Sequence, residues 1–239
     1  MLITKFEVDK ARYKLPESNA KIYACLVEVN ASDSISSVIR EINDNSWISK
    51  LDIVDQVSYT ARLQETVKKI MKDCLKFDND LSQHVYDYSV VGEYIVSKEG
   101  RNALHSHFSH LYVPLAELWK EKVSGNPGFD YHSETESKII IFGEAKYKSS
   151  ENPYTTAIQQ VERFINEKKD LKELTDLRHF ISNESVENCI GGKKGFSVAF
   201  SIKSDKPENI LDNAIRSEDN VTINDYDEFY IIGVIINDQ

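Results

Sequence analysis

The sequence is short of positive charge. In its 239 residues, 29 lysines and arginines face 39 aspartates and glutamates, a formal net charge of −10. That balance argues against a strong free-standing nucleic-acid binder, which presents a basic face to the phosphates. A chain of this kind binds nucleic acid weakly or is held there by something else. No apolar run approaches the length of a membrane span, and Met1-Leu2-Ile3-Thr4-Lys5 lacks the apolar region of a signal peptide, so no membrane segment and a cytoplasmic location are expected. Cysteine is scarce: Cys25, Cys74 and Cys189 are odd in number, scattered and without a C-x-x-C pair. They read as reduced core residues, not as zinc ligands or disulfides. There is no nucleophile-elbow, H-E-x-x-H or dinucleotide-binding motif, no internal repeat, and no glycine- or proline-rich linker.

What is present centres on residues 128–146. Gly128-Phe129-Asp130-Tyr131-His132 is followed by a polar turn and then by Lys138-Ile139-Ile140-Ile141-Phe142-Gly143-Glu144-Ala145-Lys146. The second segment is an apolar run bounded by turn residues, which predicts a buried strand. Alternate residues of a strand share a face, so Glu144 and Lys146 project side by side. A carboxylate and an ammonium at the end of a core strand are costly without a task. A hairpin would bring Asp130, fourteen residues upstream of Glu144, alongside as a second carboxylate. Two carboxylates and a lysine at strand ends suit a hard divalent cation, with the lysine beside an activated water. The plainer reading of the same residues is a hairpin with an exposed Glu–Lys pair.

Around this stretch the pattern predicts a strand at 21–29, a helix at 34–42 capped by Asp33, and a helix at 59–75 broken by Phe77-Asp78-Asn79-Asp80. A second long helix is predicted over 81–98, carrying Gly92-Glu93. His105, His107 and His110 invite a zinc site, but no acid or cysteine lies at ligand spacing, and a polar connector with partly exposed histidines is the preferred reading. The apolar residues 111–119 pack on the core, with Pro114 in the first turn of a helix. After Lys146 a helix begins near Tyr154 with Gln159 and Gln160 one to two turns in, and 167–180 reads as solvated. Strands are predicted at 195–202 and, centrally, at 229–236, joined by a crossover helix at 207–216. Gly191-Gly192-Lys193-Lys194 lacks phosphate-loop spacing and reads as a turn whose lysines touch a DNA backbone.

The arrangement Asp130 … Glu144-x-Lys146 resembles the PD-(D/E)XK nuclease superfamily, with Phe129 where many members carry proline. More narrowly, Gly125-Asn126-Pro127-Gly128-Phe129-Asp130-Tyr131-His132, Phe142-Gly143-Glu144-Ala145-Lys146-Tyr147 and Gly92-Glu93 resemble the nuclease subunit of the bacterial Hachiman anti-phage defence system. The resemblance implies an α/β fold: a restriction-endonuclease-like core over 81–239, a mixed β-sheet flanked by helices, and an N-terminal α/β extension over 1–80 that docks a partner. It implies a DNA nuclease using Mg2+, or Mn2+, with Asp130, Glu144, Lys146 and Gln160 as catalytic residues. Glu93, Asp130, Glu144 and the Ala145 carbonyl would be the metal ligands. It also implies a helicase-like partner subunit. The competing expectations are a non-catalytic module on a nuclease fold and a solitary restriction-type endonuclease.

Overall fold

The computed structural model describes residues 1–78, 83–120, 128–217 and 223–237. Gly125, Asn126 and Pro127, and the predicted helix start at Leu81, lie outside them. The first half contains β1 (Leu2–Glu7), α1 (Lys10–Tyr13), β2 (Lys21–Asn30), α2 (Ala31–Ile42) and α3 (Ile53–Cys74). There follow β3 (Leu75–Asp78), β4 (Gln83–Tyr86), α4 (Tyr88–Phe108), β5 (Leu111–Tyr112) and α5 (Ala116–Trp119). The second half contains β6 (Tyr131–Glu134), β7 (Ile140–Lys146), α6 (Tyr154–Asn166), α7 (Lys169–Leu177), α8 (Asn183–Ile190), β8 (Lys194–Ile202), α9 (Pro207–Ile215) and β9 (Glu228–Asn237).

Seven strands form one mixed sheet in the order β1-β2-β9-β8-β7-β6-β5, and β3 and β4 form a separate ribbon. The neighbours β2–β9, β9–β8 and β8–β7 are parallel, while β1, β6 and β5 join antiparallel at the two sides. The sequence explains the division. β7, β8 and β9 are almost wholly buried and nearly continuous in apolar or small residues, as strands covered on both faces must be. The short outer strands carry the polar residues. β2 pairs with β9 from Lys21↔Glu228 to Asn30↔Asn237, so strands from residues 1–80 share the sheet with those of 81–239.

Strand alternation assigns the two faces around β7. Gly143 lies under the Tyr131 ring, and Tyr131 and Ala199 meet Gly100 of α4. On the other face Phe142 packs on Phe129 and Phe196, Phe129 meets Phe164 of α6, and Phe200 meets Tyr154. By the period of two, Glu144 and Lys146 fall on this second, α6-covered face.

Several expectations are corrected. The cap of α2 is Asn30, whose side-chain oxygen accepts from the Asp33 N–H at 3.1 Å; Asp33 lies in the first turn. α3 starts six residues before Tyr59. The break at Phe77-Asp78 begins the β3–β4 ribbon, and Asn79 and Asp80 lie outside the described residues. The helix expected over 81–98 runs instead from Tyr88 to Phe108, because 83–86 pair with β3. Pro114 precedes the Leu115 cap of α5 instead of standing inside its first turn. The 167–180 stretch is solvated only in part: Glu167, Lys168, Lys172 and Arg178 are exposed, but Lys169 and Asp170 are buried, and Asp170 pairs with Lys194. That pair removes Lys194 from any DNA contact. It also lies opposite Ile140, at the start of β7, four residues or roughly 13 Å along the strand from Glu144's partner Val198.

His105 is exposed and His107 half-buried, as expected of partly exposed histidines, but they stand on a helix and not in a connector. His105 and His107 are in the last turn of α4, and His110 is 4 % exposed. Its Nδ1 lies 2.9 Å from Ser133 Oγ and its Nε2 3.0 Å from Tyr230 Oη. Tyr230 donates its hydrogen to Glu228, so His110 Nε2–H donates to the phenol oxygen and Nδ1 accepts from the serine. Burial, with the charges of His105 and Lys5, pushes the His110 pKa down to about 4. The unfolded chain takes up this proton near pH 6.5, so stability is complete above that pH and falls as pH drops toward 4. The His110 contribution to that loss is up to about 3 kcal/mol. Urea unfolding at pH 7 and pH 5 checks it. His110→Gln should be less stable than wild type at pH 7 and close most of that gap at pH 5. An equal deficit at both pH values would refute a neutral, buried His110.

Candidate active site

The β6–β7 hairpin builds the site. His132 pairs with Phe142 and Tyr131 with Gly143, so the next position sets Asp130 opposite Glu144. The Asp130 N–H donates to Gly143 O at 2.9 Å, and Asp130 Oδ2 accepts the Ala145 N–H at 2.8 Å. Two carboxylates thus face each other across neighbouring strands, an arrangement that is destabilising unless a cation intervenes. Lys146, two residues on and on the same face, supplies one. Its Nζ donates to Glu144 Oε1 at 2.7 Å and to Glu93 Oε1 at 2.9 Å.

Glu93 reaches Lys146 from the second turn of α4. Gly92 permits this approach: a Cβ there would run into the Tyr147 ring, so only glycine lets the helix lie against the end of β7. Asp130, Glu144, Lys146, Glu93 and Gln160 all line one cavity of about 400 Å3. Of the two glutamines, Gln160 faces it and Gln159 is exposed. The plainer expectation of an exposed Glu–Lys pair is not met, because Glu144 is completely buried.

The electrostatics are those of an acid cluster with too little positive charge. Burial raises the Glu144 pKa well above its ordinary value, and the Asp130 charge raises it further. Burial pushes Asp130 up to about 7 against the pull of Lys146, with Glu93 and Glu117 adding to the rise. For Lys146, burial opposes the charge, but Glu144, Asp130 and Glu93 together outweigh it and hold the ammonium protonated. Glu144 Oε2 is buried and accepts no hydrogen bond. A carboxyl oxygen left without a partner in a cavity wall suits a hard cation in its donor chemistry, and a cation there would favour the ionised form that burial disfavours. The Mg2+ expectation therefore fits these residues, although among the described residues no three acidic, histidine or cysteine side chains already converge to hold an ion. Lys146 stands between Glu93 and Glu144 in that role. Ala145, expected to offer its carbonyl, is seen here through its amide on Asp130.

Two groups escaped the sequence reading. Glu117, on α5, lines the same cavity; it is the lone acid in a run read as apolar packing, which was the available signal. Behind the site, Glu173 of α7 accepts from the Phe129 N–H at 3.0 Å and binds Lys120 at 2.6 Å and His132 Nε2 at 2.7 Å. This clamp fixes the backbone just before Asp130. It joins residues more than forty positions apart, which no local pattern shows.

If like-charge crowding dominates the metal-free site, two substitutions at neighbouring residues should shift stability in opposite directions. At pH 8 with chelator, Glu144→Gln should unfold at a higher temperature than wild type, because it removes a buried charge. Lys146→Met should unfold lower, because it strips the carboxylates of their cation. A shift of about 3 °C corresponds to roughly 1 kcal/mol in a chain of this size. Thermal melts in which Glu144→Gln is the less stable of the two would contradict the crowding.

Compared with protein-family models, with curated proteins and with solved structures, the chain matches none.

Proposed function

We propose that this chain is a metal-dependent nuclease that hydrolyses phosphodiester bonds in DNA, on a restriction-endonuclease-like sheet. The observation that carries the reading is the bare, buried Glu144 Oε2 in one cavity with Asp130 and a protonated Lys146. A scaffold that only binds a partner has no reason to crowd two carboxylates and an ammonium at a strand end, with Glu144 completely buried. Asp130 and Glu144, with Glu93 at the rim, would hold Mg2+ or Mn2+. When bound, the ion would supply Lewis acidity toward a phosphate oxygen and a more acidic water. Lys146 acts as a cation: its neighbours favour the charged form, so it donates to the phosphate or to the attacking water and does not accept a proton. Gln160, across the cavity on α6, offers its amide to orient the same water or phosphate.

The direct test is cleavage of linear DNA in Mg2+. Lys146→Ala and Glu144→Gln should each lose at least about 10²-fold, the cost of removing one preorganised electrostatic group. Wild-type rates in purified, folded Lys146→Ala would end the assignment.

The net charge of −10 bears on partners. A protein that neutralises few phosphates binds DNA non-specifically at roughly 10⁻⁴–10⁻⁶ M near physiological salt. Lys194, bound to Asp170, adds nothing to that contact. Tethering to a DNA-bound subunit supplies an effective concentration in the millimolar range without new contacts. We therefore place the chain beside a helicase-like subunit in an anti-phage system, as its resemblance to the Hachiman nuclease implies. In filter binding at about 150 mM salt, the chain alone should hold DNA no more tightly than roughly 10⁻⁶ M. Sub-micromolar binding by the chain alone would favour a solitary endonuclease.

A further inference from the structure

Asp130 stands one residue ahead of β6, where the strand ladder is only beginning. The residue before it is fixed by side chains from elsewhere in the chain. Glu173 of α7 accepts the Phe129 N–H at 3.0 Å, and Lys120, just past α5, donates from Nζ to Phe129 O at 2.5 Å. The two side chains bind each other at 2.6 Å, and the second Glu173 oxygen lies 2.7 Å from His132 Nε2. Burial opposes the Glu173 charge, but Lys120 and His132 outweigh it and lower its pKa, so the acceptor is a carboxylate. Both hydrogen bonds to Phe129 are therefore charge-assisted, the stronger kind.

The clamp is closely fitted. A Cβ on Gly128 would run into the Glu173 carboxylate and Lys120 Nζ, so the residue two before Asp130 has to be glycine. The Phe129 ring is buried against Phe142, Phe164 and Phe196. The peptide group joining Phe129 to Asp130 is held at both ends, its carbonyl by Lys120 and its N–H by Gly143 O at 2.9 Å. A buried main chain needs partners in any case. Here, however, ionisable side chains from positions 120, 132 and 173 converge on one residue, and none of the three lines the cavity. What they hold still is the backbone that carries the Asp130 carboxylate.

We propose that Glu173, braced by Lys120 and His132, is a positioning residue of the candidate active site. It sets where the Asp130 carboxylate sits, and so how tightly the site takes a divalent cation. The inference rests on the nuclease reading and adds to it a residue that touches neither ion nor phosphate. Groups that orient a metal ligand from behind govern affinity or activity by about 10–100-fold.

The test is the Mn2+ affinity of the full chain without nucleic acid, read from the resonance signal of the free ion. Glu173→Leu removes every hydrogen bond that Glu173 makes in the clamp and should bind Mn2+ at least about tenfold more weakly than wild type. Glu173→Gln keeps an acceptor for the Phe129 N–H but loses the ion pair with Lys120, and should fall between the two. Gly128→Ala retains Glu173 but drives a methyl group into its carboxylate, and should weaken binding as Glu173→Leu does. Metal-free melting shows which variants fold, and Gly128→Ala decides the matter if Glu173→Leu does not. His110→Gln, whose native ring bonds Ser133 and Tyr230 instead, should lose stability at pH 7 yet keep the wild-type affinity. Wild-type affinity in folded Glu173→Leu or Gly128→Ala, or an equal loss in His110→Gln, overturns the positioning role and leaves the nuclease reading intact. No Mn2+ bound by wild type overturns both.

Discussion

The arrangement on which the rest depends is a pair of carboxylates set opposite each other across two buried strands. Asp130 and Glu144 occupy facing positions of the β6–β7 hairpin, where like charges repel and burial magnifies the cost. One lysine, held by Glu144 and Glu93, offsets part of it. The surroundings hold this unfavourable centre in place from several directions. α4 lies close because Gly92 has no side chain to meet Tyr147. α5 is fastened to the Asp130 carbonyl. Glu173, with Lys120 and His132, fixes the backbone at Phe129.

A site made this way is stiff where it borders the sheet and adjustable where it borders solvent. Glu144 and Ala145 are completely buried in β7, with strands on both sides. Glu93 is about half exposed and belongs to the early turns of a helix, so its carboxylate can leave Lys146 at little cost. On the proposed reading, rigid Asp130 and Glu144 would define where a cation sits, and Glu93 would adapt to it.

The sheet was largely legible in the sequence because its inner strands are covered on both faces and so appear as apolar runs; β7, β8 and β9 were read close to their observed limits. α6 and α9 were likewise visible from their apolar stripes and starts. α4 was read only over its first half, up to residue 98; the rest was missed because Arg101 is buried within it through a paired Glu41 and the histidines near its end resemble a polar connector. α7 was misjudged for a related reason: Asp170 and Glu173 are charged residues whose partners, Lys194 and His132, lie far away in the chain. Of the site, the hairpin pattern joined Asp130, Glu144 and Lys146, whereas Glu93 and Gln160 were named only through the resemblance to the nuclease superfamily. Glu117 was hidden by its apolar neighbours, since only the tertiary fold turns it toward Asp130.

The pairing of β2 with β9 has a consequence for how the cavity comes into being. Residues 21–30 wait for residues 228–237, and β8 has β9 as its neighbour on the side away from β7. Contacts so distant in sequence form late, after the entropy of closing a long loop has been met. During synthesis, the charged hairpin therefore exists for a time beside a sheet whose middle is missing. A chain clipped before β9 would lose the strand that joins its two halves and, with it, the firm backing of β7. Assembly of the acidic centre thus waits on β9, which joins β2 to β8.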